Sequence, residues 1–143
     1  MAKPRVLFLC THNSARSQMA EAFLRALAGE RFEVASAGTE ATRVHSFAIQ
    51  AMDEVGIDLA GHTSKFLDTL LDKPWDYLIT VCDSANDRCP VFPGRTTRIH
   101  WNFPDPSQAT GSDEDRLETF RRVRDQIHAC LRQWLENLEE PAL

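Results

Sequence analysis

No apolar run in the chain is long enough to cross a membrane, and the longest early one, Val6 to Cys10, is too short for a signal-peptide core. A buried strand accounts for it. Basic clusters are missing as well: 16 Lys and Arg against 21 Asp and Glu leave a net charge of −5, which argues against a nucleic-acid surface. Cysteine is scarce, at 4 residues in 143. Without a secretory signal, these four are expected to sit reduced in a cytoplasmic protein, where cysteine is more often chemical than structural. No internal repeat, low-complexity tract or interdomain linker breaks the chain, so residues 1–143 read as a single domain with room for a proper core. Hydrophobic content of 43% and charged content of 26% are ordinary for a soluble globular protein. An anionic substrate meets a negative molecule here, so any site for one must be locally positive.

One stretch meets that condition. The apolar residues Val6, Leu7, Phe8 and Leu9 stop at Cys10; Thr11, His12, Asn13, Ser14 and Ala15 follow, then Arg16 and Ser17, where a helical pattern begins. The run reads as a buried parallel strand with Cys10 at its carboxyl end, the edge at which open α/β sheets bind ligands. Residues 11–16 can curl round an anion, offering backbone N–H groups and the positive end of the helix dipole. Arg16 adds a planar fork of donors suited to a tetrahedral oxyanion. The same donors stabilise a thiolate, so Cys10 is expected to have a depressed pKa and to act as a nucleophile. Outside that setting, Cys10 and Arg16 are a buried cysteine and a surface arginine at a spacing that chance often produces.

Ala20, Phe23, Leu24 and Leu27 continue one helical face, with Gly29 as its stop. Phe32 to Gly38 alternates as a second strand. Ala48, Ala51, Met52 and Val55 form another helical stripe closed by Gly56, and Ser64 is placed as the cap of a short helix reaching Leu71. Tyr77 to Cys82 reads as a third strand and Arg98 to Phe103 as a fourth. Leu117, Phe120, Val123, Ile127, Leu131, Trp134 and Leu138 step along one long helix. Strands alternating with about five helices predict an α/β fold, a four-stranded parallel open sheet flanked by helices on both faces. Asp105 stands between Pro104 and Pro106 after the fourth strand, at the same sheet edge as Cys10. Proline on both sides restricts the backbone and holds the carboxylate in one direction. Such an aspartate is an ordinary turn residue or, facing a substrate on Cys10, the general acid that protonates its leaving oxygen.

The segment from Cys10 to Glu21 resembles the phosphate-binding loop of low-molecular-weight protein tyrosine phosphatases. It is closer still to that of the thioredoxin-coupled arsenate reductases built on the same fold, and the resemblance runs over nearly the whole chain. It implies that fold, and an acid role for Asp105, since the family carries its acid in an Asp-Pro element. It also gives Cys82 and Cys89 a use. Read alone they are two small core thiols or, at a spacing poor for zinc, a metal pair; a phosphatase needs neither, an arsenate reductase both. The polar stretch from Asp83 to Arg88 reads as a short helix or turn. A helix there would have to unwind before Cys82 and Cys89 could bond.

The resemblance therefore implies reduction of arsenate to arsenite. Cys10 attacks arsenic, Thr11, His12, Asn13, Ser14, Ala15, Arg16 and Ser17 hold the oxyanion, and Asp105 protonates the departing hydroxyl. Cys82 then attacks Cys10, and Cys89 draws the oxidation into a Cys82–Cys89 disulfide that thioredoxin reduces. Thioredoxin and arsenate are the expected partners, no bound cofactor is expected, and the chain is expected to act as a cytoplasmic monomer with weak phosphatase activity. Two alternatives stand beside this. One is a phosphotyrosine-type hydrolase, against which no two adjacent aromatics stand before Pro104; the other is a thiol redox sensor in which Cys82 resolves an oxidised Cys10. His12 lies where relatives often have glycine, and either crowds the loop or adds a donor. Asn13, Glu21 and Ser36 match positions at which some of these reductases hold potassium. Their fourth ligand, an aspartate, is Lys65 here, so no metal site is expected and the Lys65 amine is expected to stand in for the cation. Cys130 reads as core packing, and His45, His62, His100 and His128 are assigned no metal role.

Overall fold

In the computed structural model, which describes residues 3–40, 42–59, 61–70, 72–82 and 96–139, the apolar run forms β1 (Arg5–Cys10) inside a sheet. Val6, Leu7, Phe8 and Leu9 are all fully buried. Successive strand residues point to opposite faces, so both faces of β1 are covered. Each such side chain contributes about 1.5–3 kcal/mol by leaving water. β1 pairs with β2 (Glu33–Gly38) on one side and β3 (Tyr77–Thr80) on the other, and β3 pairs with β4 (Thr97–His100). The order is β2-β1-β3-β4 and every pairing is parallel, as the alternation of elements predicts.

That order positions the chemistry. The chain passes from β2 across β1 to β3, so the strand order reverses between β1 and β3. Such a reversal opens a crevice at the carboxyl ends of the two strands. Cys10 is the last residue of β1, and Cys82 lies just past the end of β3. Both sulfurs therefore come to one edge because of the topology.

Three α-helices are seen among the described residues: α1 (Arg16–Ala28), α2 (Ser46–Asp53) and α3 (Asp113–Glu139). On α1, Ala20, Phe23 and Leu24 are buried as expected, but Leu27 is 42% exposed because Ala28 continues the inward stripe. On α2, Ala48, Ala51 and Met52 are buried, while Val55 falls beyond the helix end, in the turn that closes on Gly56 at φ +80°. α3 buries Leu117, Phe120, Val123, Ile127 and Leu131, and exposes Leu138, which lies past its last covered turn. Phe23 and His128 stack at 4.7 Å between α1 and α3. Arg124 on α3 donates to the Ala51 carbonyl at 2.8 Å and pairs with Glu54, which ties α2 to the same helix.

Several boundaries differ from the expected ones. β3 ends at Thr80 rather than Cys82, although Val81 N–H still donates to Leu9 O at 2.9 Å. β4 ends at His100 rather than Phe103, although Trp101 N–H and Phe103 N–H still donate to Thr80 O and Val81 O at 2.8 and 3.4 Å. Ser64 caps no helix. Its hydroxyl donates to His12 O and accepts from Thr42 N–H, and the segment after it forms only a short 3-10 turn, Leu67–Leu70.

Candidate active site

The loop between β1 and α1 is held from outside through its carbonyls. Cys10 O accepts from Thr39 N–H, Thr11 O from Glu40 N–H, and Ser14 O from His45 N–H, at 3.2, 2.8 and 2.9 Å. His12 O accepts from the Ser64 hydroxyl at 2.8 Å and Asn13 O from Gln18 Nε2 at 3.1 Å. In a trans peptide the N–H points opposite to the C=O. The N–H groups of Thr11 to Ala15 are therefore turned away from these outer partners, a backbone arrangement that suits an anion at the start of α1. Gly38 permits the close approach: a Cβ there would lie 2.6–2.8 Å from Glu40 O, Thr11 O and Asn13 N.

Asn13 is the loop's internal brace. It is fully buried and its φ is 51°, a left-handed conformation that asparagine tolerates. Its Nδ2 donates to Ser17 Oγ at 2.7 Å and Ser36 Oγ at 2.9 Å, and its Oδ1 accepts from Gln18 Nε2 and Lys65 N–H. Because Ser17 Oγ already accepts from Asn13, its own hydrogen is free for Cys10 Sγ, 2.8 Å away. On the other side, Ser36 Oγ donates to Glu21 Oε1 at 2.7 Å. Hydrogen bonds thus link the Glu21 carboxylate through Ser36, Asn13 and Ser17 to the sulfur, with Asn13 Nδ2 donating to both serines.

The charge state of Cys10 departs from the sequence expectation. Burial pushes its thiol above the ordinary value, and the Ser17 hydrogen bonds and the Arg16 charge offset only part of that. The expected depressed pKa is thus corrected: Cys10 is held as a thiol. Arg16 is nearly buried, its Nη1 donating to Phe103 O at 3.1 Å and its Nη2 lying 3.6 Å from Asp105 Oδ2. Asp105 takes the turn role and also faces Arg16. Its Oδ1 caps the 3-10 turn Pro106–Gln108 by accepting from Ser107 N–H and Oγ, while Oδ2 faces Arg16. Burial raises the Asp105 carboxyl, but the Ser107 hydrogen bonds, then Arg16 and His12, carry it below its ordinary range. Cys10 and Asp105 therefore rest as thiol and carboxylate.

Cys82 is buried, and its Sγ lies 3.4 Å from Thr11 Oγ1, at the shoulder of the same loop. Cys89 and the polar stretch before it lie outside the described residues. His12 does not crowd the loop: its side chain is turned to the rim, with Nε2 3.1 Å from Glu40 Oε2. Cys10, His12, Ser14, Ala15, Arg16, Asp105 and Ser107 together line a small recess at this edge. Cys130 packs against the core from α3. Gln18 and the close approach at Gly38 went unrecognised in the sequence. Gln18 is fully buried and also reaches Thr63 O at 2.8 Å, but only its place just after Ser17 hinted at a part in the loop.

No group of three or more His, Cys, Asp or Glu side chains suited to a metal occurs among the described residues. The positions that hold potassium in some relatives are poorly suited to it here. Glu21 Oε2 already receives Arg25 Nη1 at 2.8 Å, and Lys65 Nζ lies 3.8 Å from Oε1. Asn13 Oδ1 is taken by two N–H donors.

Comparison with known proteins agrees with this geometry. Residues 5–142 match the family model for low molecular weight phosphotyrosine protein phosphatase. The arsenate reductase of Shouchella clausii (strain KSM-K16) is 43% identical over 139 residues, 97% of this chain and 100% of that one. A solved arsenate reductase in its phosphate binding state superposes with a TM-score of 0.80 at 34% identity, covering 94% of this chain and 98% of that one. The thioredoxin-dependent arsenate reductase of Corynebacterium glutamicum gives a TM-score of 0.67 at 29% identity, over 92% of this chain and 61% of that one. The chain belongs to the low molecular weight phosphotyrosine protein phosphatase family, in company with proteins named arsenate reductase.

Proposed function

We propose that this protein is a cytoplasmic, monomeric arsenate reductase that works through Cys10, Cys82 and Cys89 and is regenerated by thioredoxin. The observation that carries the reading is the second buried thiol: Cys82 Sγ lies 3.4 Å from Thr11 Oγ1, beside an anion loop that needs only Cys10 for hydrolysis. The names of its relatives support the same substrate.

The resting proton states suit the first step. Arsenate enters against the loop amides and Arg16, and the Cys10 sulfur attacks arsenic as one As–O bond breaks. The hydroxyl leaves as water, so the step consumes one proton, and the Cys10 thiol releases one. Asp105, resting as the carboxylate, can accept that proton and hand it to the leaving oxygen. In the second step the Cys82 thiolate attacks the Cys10 sulfur and the S–As electron pair stays with arsenic, which leaves as arsenite after taking protons from solvent. The product is a Cys10–Cys82 disulfide, so sulfur supplies both electrons. Cys89 then attacks Cys82, Cys10 departs as the thiolate, and the dithiol of thioredoxin reduces the Cys82–Cys89 bond.

NADPH oxidation in the presence of thioredoxin, thioredoxin reductase and arsenate tests this directly. Oxidation that depends on arsenate supports the reductase. Hydrolysis of an aryl phosphate without it makes the protein a phosphatase, and loss of both activities leaves the redox sensor.

A further inference from the structure

Glu21 is a carboxylate with 4% of its surface exposed, buried beneath the anion loop. A buried charge persists only where opposite charge and hydrogen bonds compensate it. Arg25 covers Oε2 at 2.8 Å from the same helix with its side chain half exposed, and His62 Nδ1 lies 3.6 Å from the same oxygen. Oε1 takes the Ser36 hydroxyl and faces Lys65 Nζ. Lys65 is not a surface lysine that happens to point inward. Its N–H donates to Asn13 Oδ1 at 2.7 Å, its carbonyl accepts from Gly38 N–H at 2.8 Å, and its Nζ donates to Thr63 O at 3.1 Å. Three contacts therefore fix the residue that carries the ammonium, among oxygens from Glu21 and Thr63.

We propose that the Lys65 ammonium is a built-in monovalent cation. It holds Glu21 and, through Ser36, Asn13 and Ser17, the Cys10 sulfur, so that the loop needs no dissolved ion. Lys65 is thus a positioning residue: it touches no substrate, and it acts only through the linked hydroxyls and amide that end at Ser17. The link to Cys10 rests on the proposed role of that residue as nucleophile, whereas the cation itself does not.

Two readouts on the intact chain test this, each in potassium chloride and in choline chloride at equal ionic strength. The wild-type Tm is expected to be the same in both salts. Lys65→Met should melt about 2–4 °C lower in choline and recover in potassium, because removing the amine leaves the oxygens for the ion. Lys65→Arg, which keeps the charge, should follow the wild type in both. The rate of Cys10 alkylation by iodoacetamide, followed by mass spectrometry, should fall about fivefold in Lys65→Met in choline and be restored by potassium. A loss of packing alone would not be reversed by an ion. Potassium stabilising the wild type over choline would overturn the proposal, as would Lys65→Met behaving identically in the two salts. The melting arm stands even if the protein reduces no arsenate.

Discussion

At Cys10 two effects of opposite sign meet on one sulfur. Burial favours the thiol and outweighs the Ser17 hydrogen bonds and the Arg16 charge, which favour the thiolate. A thiol whose folded pKa is raised contributes stability that is fully present below the unfolded value and is lost as pH rises through the folded one. Cys10→Ser should therefore remove part of the alkaline fall in stability, measured as Tm against pH above the ordinary thiol range. In the same range the alkylation rate of the wild-type sulfur should still be climbing. Ser17→Ala should slow that alkylation by about tenfold near neutral pH, since it removes one hydrogen bond to the charged form. An unchanged rate would mean that the 2.8 Å contact does not tune the sulfur. None of this was legible in the sequence: the residue order suggests an activated thiolate, whereas burial is a property of the assembled sheet.

Among the elements, the junction between the end of β2 and the anion loop is tightly closed. Cys10 and Gly38 pair across β1 and β2, and three backbone atoms lie where a Gly38 side chain would go. Gly38→Ala must push the loop away from β2, at a cost of about 1–3 kcal/mol, and should weaken sulfate binding measured by calorimetry. Full stability with full sulfate affinity would show that the loop has slack there. The strands and helices themselves were largely legible, because apolar spacing reports directly on covered faces. The errors cluster where an element runs past its cover, as at Val55 and Leu138. Asp105 was legible through its two prolines. The braces around Asn13 were not, because Gln18, Ser36 and Lys65 come from three separate segments and only the fold brings them together.

For the molecule as a whole, the sheet order assigns the two sulfurs to neighbouring strands. β1 ends at Cys10 and β3 stops two residues before Cys82, on either side of the reversal in strand order. On the proposed reading, hydrolysis at the anion loop needs the first sulfur, Arg16 and Asp105. Reduction, on the same reading, needs the second sulfur in addition, to take arsenic's place on Cys10. This division of labour is the central claim, and Cys82→Ser isolates it, since the hydroxyl keeps the size of the thiol and removes its redox chemistry. The decisive measurement is the pair of rates for that variant, arsenate-dependent NADPH oxidation with thioredoxin and hydrolysis of an aryl phosphate, each relative to the wild type. Arsenate turnover is expected to fall to background while the weak hydrolysis remains within about twofold, the size of change expected where no stabilising contact of the reaction is lost. Arsenate turnover that survives in Cys82→Ser would contradict it, and so would hydrolysis lost in step with reduction.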